Sequence, residues 1–264
     1  MSNLAIDDRM KAYENCYRTY LPNGFDAIVR VDGRAFHTLC KHFYKPFDLL
    51  FMSCMKETAK YLCANIQGVK FAYTQSDEIS LWLHYDYENG EQPWFGNNVQ
   101  KIVSIAASMA TLAFNKKFAE EASNFWNNNN DYAMAQAYGN KLNTAMFDAR
   151  VFILPFEEVP NYFLWRQKDA ERNSIQMVAR SLYSHKELVG KKTADLHEMI
   201  WAKGQNWNDY PVNMKRGTVI VKNQAWYPEL GESGCLRNYW DEPENGEMPE
   251  SNYHDWEHFV LRKV

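Results

Sequence analysis

The sequence predicts an α/β fold of the mixed α+β kind, built on an antiparallel sheet with the ferredoxin-like order β-α-β-β-α-β. Four short apolar runs are rich in β-branched and aromatic residues, as strands are. Two segments with apolar residues at helical spacing separate the first run from the second and the third from the fourth. A short polar link joins the second and third runs into a hairpin. In this topology the first strand and the hairpin lie side by side in one sheet.

The length of 264 residues fits one large domain or two small ones. We expect a first domain over residues 1–157 and a mainly helical region over 158–264 that contains a final strand and an acidic tail. No apolar run approaches membrane-spanning length, and the N-terminus lacks the apolar core of a signal peptide, so we expect no membrane partner. The five cysteines are odd in number and form no CxxC pair, which favours a reducing cytoplasm and no structural zinc.

The formal charge of −4 is unevenly distributed along the chain. Residues 229–258 contain nine acidic residues and one basic residue, Arg237, which gives a net charge of −8 and leaves +4 for the rest. A mildly basic body with an acidic C-terminal segment neither excludes an RNA partner nor establishes one.

The first predicted strand runs from Phe25 into the pair Asp32-Gly33. We expect Gly33 to lie in a turn that would strain a residue with a Cβ. A carboxylate that leaves a sheet at such a turn is well placed to hold a metal ion. The alternative is that the Asp-Gly pair is only a turn, as it is in most proteins.

The first helix is predicted to begin at Lys45-Pro46 and to end near Gly68. The hairpin follows over residues 69–85, and its predicted tip carries the adjacent acids Asp77 and Glu78. Taken alone, these two acids are better explained as a solvated hairpin tip than as a site.

The second helix is predicted to be capped by Asn97 or Asn98. Residues 119–146 are expected to form a long irregular excursion before a short strand at Ala149–Leu154. Beyond Pro160 the pattern predicts helices at about 161–182 and 193–203, and a last strand over 218–221.

Two of the acids stand out because this topology places them close together. Asp32 ends the first strand and Asp77 lies at the hairpin tip, so the two carboxylates can converge. Neighbouring carboxylates raise each other's pKa unless a cation lies between them. A pair of Mg²⁺ ions suits such a site, since hard cations take oxygen ligands and bind phosphates beside one or two carboxylates.

An ordered set of short motifs surrounds these carboxylates along the chain. In order they are Arg30, Asp32-Gly33-Arg34, Phe36-His37, Lys45-Pro46, Gln75-Ser76-Asp77-Glu78, Lys101 with Ser104, Phe147-Asp148-Ala149-Arg150, Trp165-Arg166-Gln167 with Asp169, Asn173 and Lys215-Arg216-Gly217-Thr218. No single motif is rare, but the ordered set, over roughly residues 9–222, closely resembles the tRNA(His) guanylyltransferase family. These are 3′–5′ nucleotide-adding enzymes with a polymerase-like palm.

The resemblance implies a Mg²⁺-dependent nucleotidyltransferase that uses ATP and GTP on the 5′ end of a tRNA, with residues 1–157 as its palm. Asp32, the Gly33 carbonyl and Asp77 would hold two Mg²⁺ ions, and Glu78 would support catalysis nearby. With these, the incoming nucleotide would be lined by Arg34, Ala35, Phe36, His37, Lys45 and Ser76. Phosphates of the nucleotide or tRNA would be met by Arg30, Lys101, Ser104, Arg150, Arg166, Asn173, Lys215 and Arg216. The family also implies a homotetramer.

Two departures from the eukaryotic members bear on the substrate. Those members carry His-Ile-Asn-Asn, with a His associated with reading the histidine anticodon, where this chain has Glu171-Arg172-Asn173-Ser174. The basic triplet before the second helix is Gly96-Asn97-Asn98. Both changes resemble the bacterial and archaeal guanylyltransferase-like branch, which repairs truncated tRNA 5′ ends. Strict tRNA(His) guanylylation, a cyclase-like palm enzyme and a non-catalytic tRNA-binding protein are the alternatives.

Overall fold

The computed structural model describes residues 5–227, 235–243, 248–249 and 251–261. The helices and strands of these ranges are, in chain order, α1 (Ile6–Asn15), β1 (Asp26–Gly33), α2 (Phe36–Leu39), α3 (Leu49–Asn65), β2 (Val69–Gln75), β3 (Glu78–Leu83), α4 (Val99–Asn128), α5 (Tyr132–Gly139), β4 (Phe147–Leu154), α6 (Val159–Leu182), α7 (His185–Leu188), α8 (Thr193–Ala202), α9 (Val212–Arg216), β5 (Thr218–Tyr227), β6 (Cys235–Asp241) and α10 (Tyr253–Leu261). No helix of the described ranges is long and apolar enough to cross a membrane.

The strands form one antiparallel sheet in the order β4-β1-β3-β2-β5-β6. Its first four strands confirm the predicted ferredoxin-like fold. The predicted last strand is longer than expected and pairs with β2, and β6 extends the sheet further. β6 was not predicted, because its residues are all exposed or only partly buried and give no alternating apolar pattern. The sheet thus runs across the predicted domain boundary at residue 157, which stays a prediction.

Both faces of the sheet are buried. On one face, Val29 and Val31 of β1 pack with residues of α3 and α4 in the largest core cluster. On the other, Ile28 of β1 packs with residues of α6 and α10, including Phe163 and Trp256. A third cluster joins α6 to α8. Because helices cover both faces, the strands read as nearly continuous apolar runs rather than as strict alternation.

Two helix predictions on the α3–α4 face are corrected by the structure. α3 begins three residues after Pro46, because the side chain of Asp48 caps it by accepting from the Phe51 amide at 2.8 Å. Residues 119–146 are not an irregular excursion. They hold the end of the 30-residue α4 and all of α5, since Phe118 and Ala122 continue the buried stripe of α4. Of the two predicted caps for α4, Asn97 and Asn98, the structure has Asn98 as the N-cap.

The acidic tail is in part a packed element. Trp256 of α10 is fully buried and stacks on Phe163 with ring centroids 6.1 Å apart. On β6, Asp241 forms an ion pair with Lys60 of α3 at 2.8 Å. The predicted tail residues Glu229, Glu232, Glu244, Glu247 and Glu250 lie outside the described residues.

Candidate active site

The end of β1 and the turn between β2 and β3 meet at one edge of the sheet. The Gly33 amide donates to the Asp77 carbonyl at 2.9 Å, so the two segments are joined by their main chains. Ser76 and Asp77 form the two-residue turn, in which Ser76 has a left-handed φ of 49°. The predicted tip is therefore Ser76-Asp77, while Glu78 is the first residue of β3. Asp32 and Asp77 lie at the same edge, as expected.

Gly33 is needed for a different reason from the predicted one. It belongs to β1, and the left-handed residue that follows the strand is Ala35, with a φ of 57°. A Cβ on Gly33 would lie 2.5 Å from the ring of Phe36, which no side chain could tolerate. Glycine is therefore required by the close approach of an aromatic core residue rather than by a turn conformation.

The charge on Asp77 is poorly compensated. Burial raises the pKa of the Asp77 carboxyl, and the neighbouring Asp32 carboxylate raises it further, while hydrogen bonds from its own amide and from Ser76 oppose the shift. The Asp32 carboxylate has the Arg150 guanidinium 3.8 Å away. Two carboxylates beside the Gly33 carbonyl form a set of hard oxygen donors that fits Mg²⁺, because a cation would relieve the repulsion between them.

The described residues hold no cluster of three or more His, Cys, Asp or Glu side chains that could bind a metal ion. The donor set above has only two acidic side chains and would be completed by a main-chain carbonyl. Magnesium itself also keeps several waters in such sites and takes oxygens from substrate phosphates. The metal assignment stays a prediction.

A cavity of about 380 Å³ opens beside this edge. Its lining contains seven of the nine residues that the resemblance places around the nucleotide: Gly33, Ala35, Phe36, His37, Lys45, Ser76 and Asp77. The loop that carries Lys45 is held in place by Asp48, whose carboxylate also accepts from the Tyr44 amide at 3.0 Å and the Tyr138 hydroxyl at 2.7 Å. Phe36 belongs to both the cavity and the core. It lines the cavity, but its side chain is 97% buried among Phe51, Phe114 and Phe147.

Sequence analysis missed two residues of α6 that line the same cavity, Met177 and Arg180. They follow Asn173 at i+4 and i+7, so all three lie on one face of the helix. That spacing was the available signal. Asn173 lines a smaller cavity of about 80 Å³ that shares Ser76 and Met177 with the first.

Glu78 and Arg166 form a buried ion pair between β3 and α6. Both are buried, and the two Glu78 oxygens accept from Arg166 Nε at 2.8 Å and Nη2 at 2.7 Å. Arg166 Nη2 also donates to Asp169 at 2.9 Å. Burial raises the pKa of Glu78, but the Arg166 guanidinium opposes that shift. The charges of Glu78 and Arg166 are therefore compensated within the chain, and catalytic support by Glu78 and a phosphate contact by Arg166 stay predictions.

The other predicted phosphate contacts separate into two groups. Arg30 and Arg150 are paired across β1 and β4 close to Asp32, and Arg30 Nε is buried without a partner among the described residues. Lys101 and Ser104 are exposed near the start of α4. That start pairs with residues 19–21, ahead of β1, whereas Asp32 ends the strand. The structure therefore does not bring Lys101 and Ser104 to the carboxylates within one chain.

Glu171, the first residue of the segment Glu171-Arg172-Asn173-Ser174, forms an ion pair with Arg216 of α9. Arg216 Nε donates to Glu171 Oε1 at 2.8 Å, and both side chains are partly buried. Lys215 Nζ donates to the Asn208 carbonyl at 2.6 Å. Gly217, with a φ of 80°, brings this segment against β2, where a Cβ would lie 2.6 Å from the Thr74 carbonyl. Glu171 therefore neutralises Arg216 instead of repelling RNA directly.

Comparison with known proteins identifies the family. The family model described as Thg1, tRNAHis guanylyltransferase, matches residues 7–155. A solved bacterial tRNA(His) guanylyltransferase (Thg1)-like protein in complex with ATP is 40% identical, covers 99% of both chains and superposes with a TM-score of 0.80. A solved bacterial Thg1-like protein in complex with GTP is 37% identical, covers 98% of both chains and superposes with a TM-score of 0.72. The tRNA(His) guanylyltransferase of Debaryomyces hansenii is 29% identical over 76% of this chain and 75% of its own length.

The chain therefore belongs to the tRNA(His) guanylyltransferase family, which confirms the resemblance and the assignment as a nucleotidyltransferase.

Proposed function

We propose that this family member is a 3′–5′ nucleotidyltransferase that repairs tRNA 5′ ends, adding GTP or other nucleoside triphosphates after ATP-dependent activation of the 5′ end. The observation that carries the proposal is the cavity at the Asp32–Asp77 edge, which is lined by seven of the residues expected around a nucleotide. The similar bacterial structures in complex with ATP and with GTP support these two substrates.

The reaction expected for the family has two displacements at phosphorus. An oxygen of the RNA 5′-phosphate attacks the α-phosphorus of ATP, and pyrophosphate leaves. The 3′-hydroxyl of GTP then attacks the activated 5′-phosphorus, and AMP leaves. Mg²⁺, when bound by Asp32, the Gly33 carbonyl and Asp77, would lower the pKa of the attacking hydroxyl and stabilise the leaving phosphates.

The protein's own side chains supply binding and orientation. Lys45 and His37 line the cavity and would bind triphosphate oxygens. Ser76 Oγ donates to Asp77 Oδ1 at 3.1 Å and so orients that carboxylate. The buried floor formed by Phe36 keeps the end of β1 rigid, which preorganises Asp32 and Gly33.

Preference for repair over strict tRNA(His) guanylylation is supported by the Glu171–Arg216 ion pair, which leaves no imidazole at the position associated with the anticodon. We infer that base choice then depends on pairing of the incoming nucleotide with the opposite strand. The curated relatives named tRNA(His) guanylyltransferase favour the alternative.

The test compares kcat/KM for a non-histidine tRNA that lacks its first nucleotide with kcat/KM for intact tRNA(His), using Mg²⁺, ATP and labelled GTP. We expect the truncated tRNA to be the better substrate, whatever its anticodon, with G added opposite C. A preference for intact tRNA(His) above about a hundredfold, or about 2.7 kcal/mol, would refute the repair assignment.

We further propose a cytoplasmic homotetramer. A reducing location is supported by five cysteines that all have free thiols. Assembly is supported by α1, in which no residue is buried although Ile6, Met10 and Tyr13 are apolar or aromatic. An exposed helix of ten residues is only marginally stable in water. Light scattering of the full chain measures the mass, and a monomer at micromolar concentration would contradict the assembly.

A further inference from the structure

A second cavity, of about 140 Å³, lies between α6, α7 and α8. It shares Arg180 with the cavity at the Asp32–Asp77 edge, which is called the catalytic cavity below. Its floor is apolar, and its polar lining consists of Gln176, Arg180, His185 and Lys191. An anion held there would therefore be separated from the catalytic cavity by the side chain of Arg180.

The charge of this cavity is uncompensated. No acidic side chain lines it, and within the described ranges neither Arg180 nor Lys191 forms an ion pair. Among the residues that the structure describes, Arg180 Nη2 donates only to Gln176 Oε1, at 3.3 Å. Arg166, 14 residues earlier on α6, shows the opposite arrangement with two carboxylate partners. Cations in a concave apolar site attract anions more strongly than the same cations on a flat surface.

We propose that this cavity binds a phosphate group of the RNA strand whose 5′ end lies in the catalytic cavity. Pockets for whole small molecules measure roughly 300–1,000 Å³, so a cavity of about 140 Å³ fits one phosphate with part of its sugar rather than a nucleotide. A backbone phosphate is favoured over a nucleotide tail because Lys45 and His37 already face the triphosphate position from within the catalytic cavity. The inference rests on the proposed RNA substrate.

The experiment measures binding of 5′-monophosphorylated tRNA to the full chain from low to high salt, and binding of GTP separately. In Lys191→Ala, the tRNA Kd should rise about fivefold and the slope of log K against log salt should fall by about 1, as for one lost phosphate contact. GTP should bind within about twofold of wild type, because Lys191 lines only the second cavity and not the one at the Asp32–Asp77 edge. Lys191→Arg, which keeps the positive charge, should retain most of the wild-type tRNA affinity that Lys191→Ala loses.

Lys116→Ala is the matched control, because this lysine of α4 is exposed and forms no ion pair in the described ranges. Thermal unfolding followed by circular dichroism confirms that each variant folds. The proposal is overturned if tRNA affinity and salt slope stay at the wild-type values, or if Lys116→Ala weakens binding equally. It is also overturned if GTP binding weakens while tRNA binding does not, since the cavity would then hold a triphosphate. Failure of the proposed function would instead appear as tRNA binding without nucleotide addition.

Discussion

Asp77 and Glu78 are adjacent in the sequence but lie in two electrostatically different regions. Asp77 lines the cavity at the Asp32–Asp77 edge, and no ion pair to it exists in the described ranges. Glu78 faces α6, where Arg166 satisfies both of its oxygens and the Ser80 hydroxyl lies 3.3 Å from one of them. The two regions separate where the turn ends: Asp77 lies in the Ser76-Asp77 turn, whereas Glu78 is the first residue of β3 and pairs with Asp32 of β1.

The difference shows that compensation, rather than acidity, separates a candidate catalytic carboxylate from a structural one. A carboxylate whose oxygens are already satisfied has little to gain from a metal ion. A carboxylate that is buried beside a like charge is stabilised by a bound metal ion. Glu78 and Arg166 instead hold α6 against the sheet and so position the helix that carries Met177 and Arg180.

The largest expected effect separates the two regions by activity. Asp32→Asn or Asp77→Asn should lower nucleotide addition by at least about a thousandfold, or about 4 kcal/mol, because each removes a charged metal ligand while the fold persists. Label incorporation into 5′-monophosphorylated tRNA measures the loss. Asp86→Asn, a partly exposed acid beyond the other end of β3, is the control and should retain activity. Activity within tenfold of wild type in either variant would remove the metal assignment.

The second effect separates the regions by stability. Arg166→Met leaves Glu78 buried and unpaired, so the free energy of unfolding should fall by about 3–5 kcal/mol. Urea unfolding measures the change. Arg172→Met is the matched control, because Arg172 pairs with the same Asp169 at 2.6 Å but is 61% exposed. Its loss should stay below about 1 kcal/mol. Equal losses for the two variants would contradict a structural role for the buried pair.

A third effect concerns Mg²⁺ and pH at the Asp77 region. An acid whose pKa is raised by folding destabilises the folded state when ionised. That destabilisation is complete above the raised pKa and disappears as pH falls through it toward the ordinary Asp value. In EDTA, Asp77→Asn should therefore unfold at a higher temperature than wild type at neutral pH, and the gain should shrink in acid.

Added Mg²⁺ should reverse that ranking, since it binds only the wild-type carboxylate pair. At a hundredfold excess over its Kd it would stabilise the wild type by about 2.7 kcal/mol. Calorimetry at neutral pH with Mg²⁺ or EDTA measures both effects. A melting temperature of Asp77→Asn that rises with Mg²⁺ as much as that of wild type would place the ion elsewhere.

The smallest effect tests an intermediate case, the partly buried Glu171–Arg216 pair. Glu171→Gln frees the Arg216 guanidinium, so tRNA should bind about two- to threefold more tightly and with a steeper salt dependence. Stability should change by less than about 1 kcal/mol, as expected for a partly exposed pair. Filter binding at several salt concentrations measures the affinity. Weaker binding would show that Glu171 positions Arg216 for RNA rather than neutralising it.

The sequence predicted the first four strands of the sheet in their order and seven of the residues that line the cavity at the Asp32–Asp77 edge. Strand patterning, the short link between β2 and β3 and the ordered motifs are local features, and local features can be read from sequence. The helix start at Asp48 and the continuation of α4 beyond residue 119 were missed, although an Asp cap and a buried Phe118 and Ala122 were also local signals.

Only the tertiary structure decided which charged residues are free. Nothing in the sequence shows that Arg166 meets Glu78, 88 positions away, or that Glu171 meets Arg216, 45 positions away. The same holds for Gly33, where glycine is required because the ring of Phe36 lies too close for a Cβ. It also holds for Arg180, which reaches the cavity only because α6 packs across the sheet. Charge compensation depends on distances between segments that are remote in the chain, and such distances are set by packing rather than by local pattern.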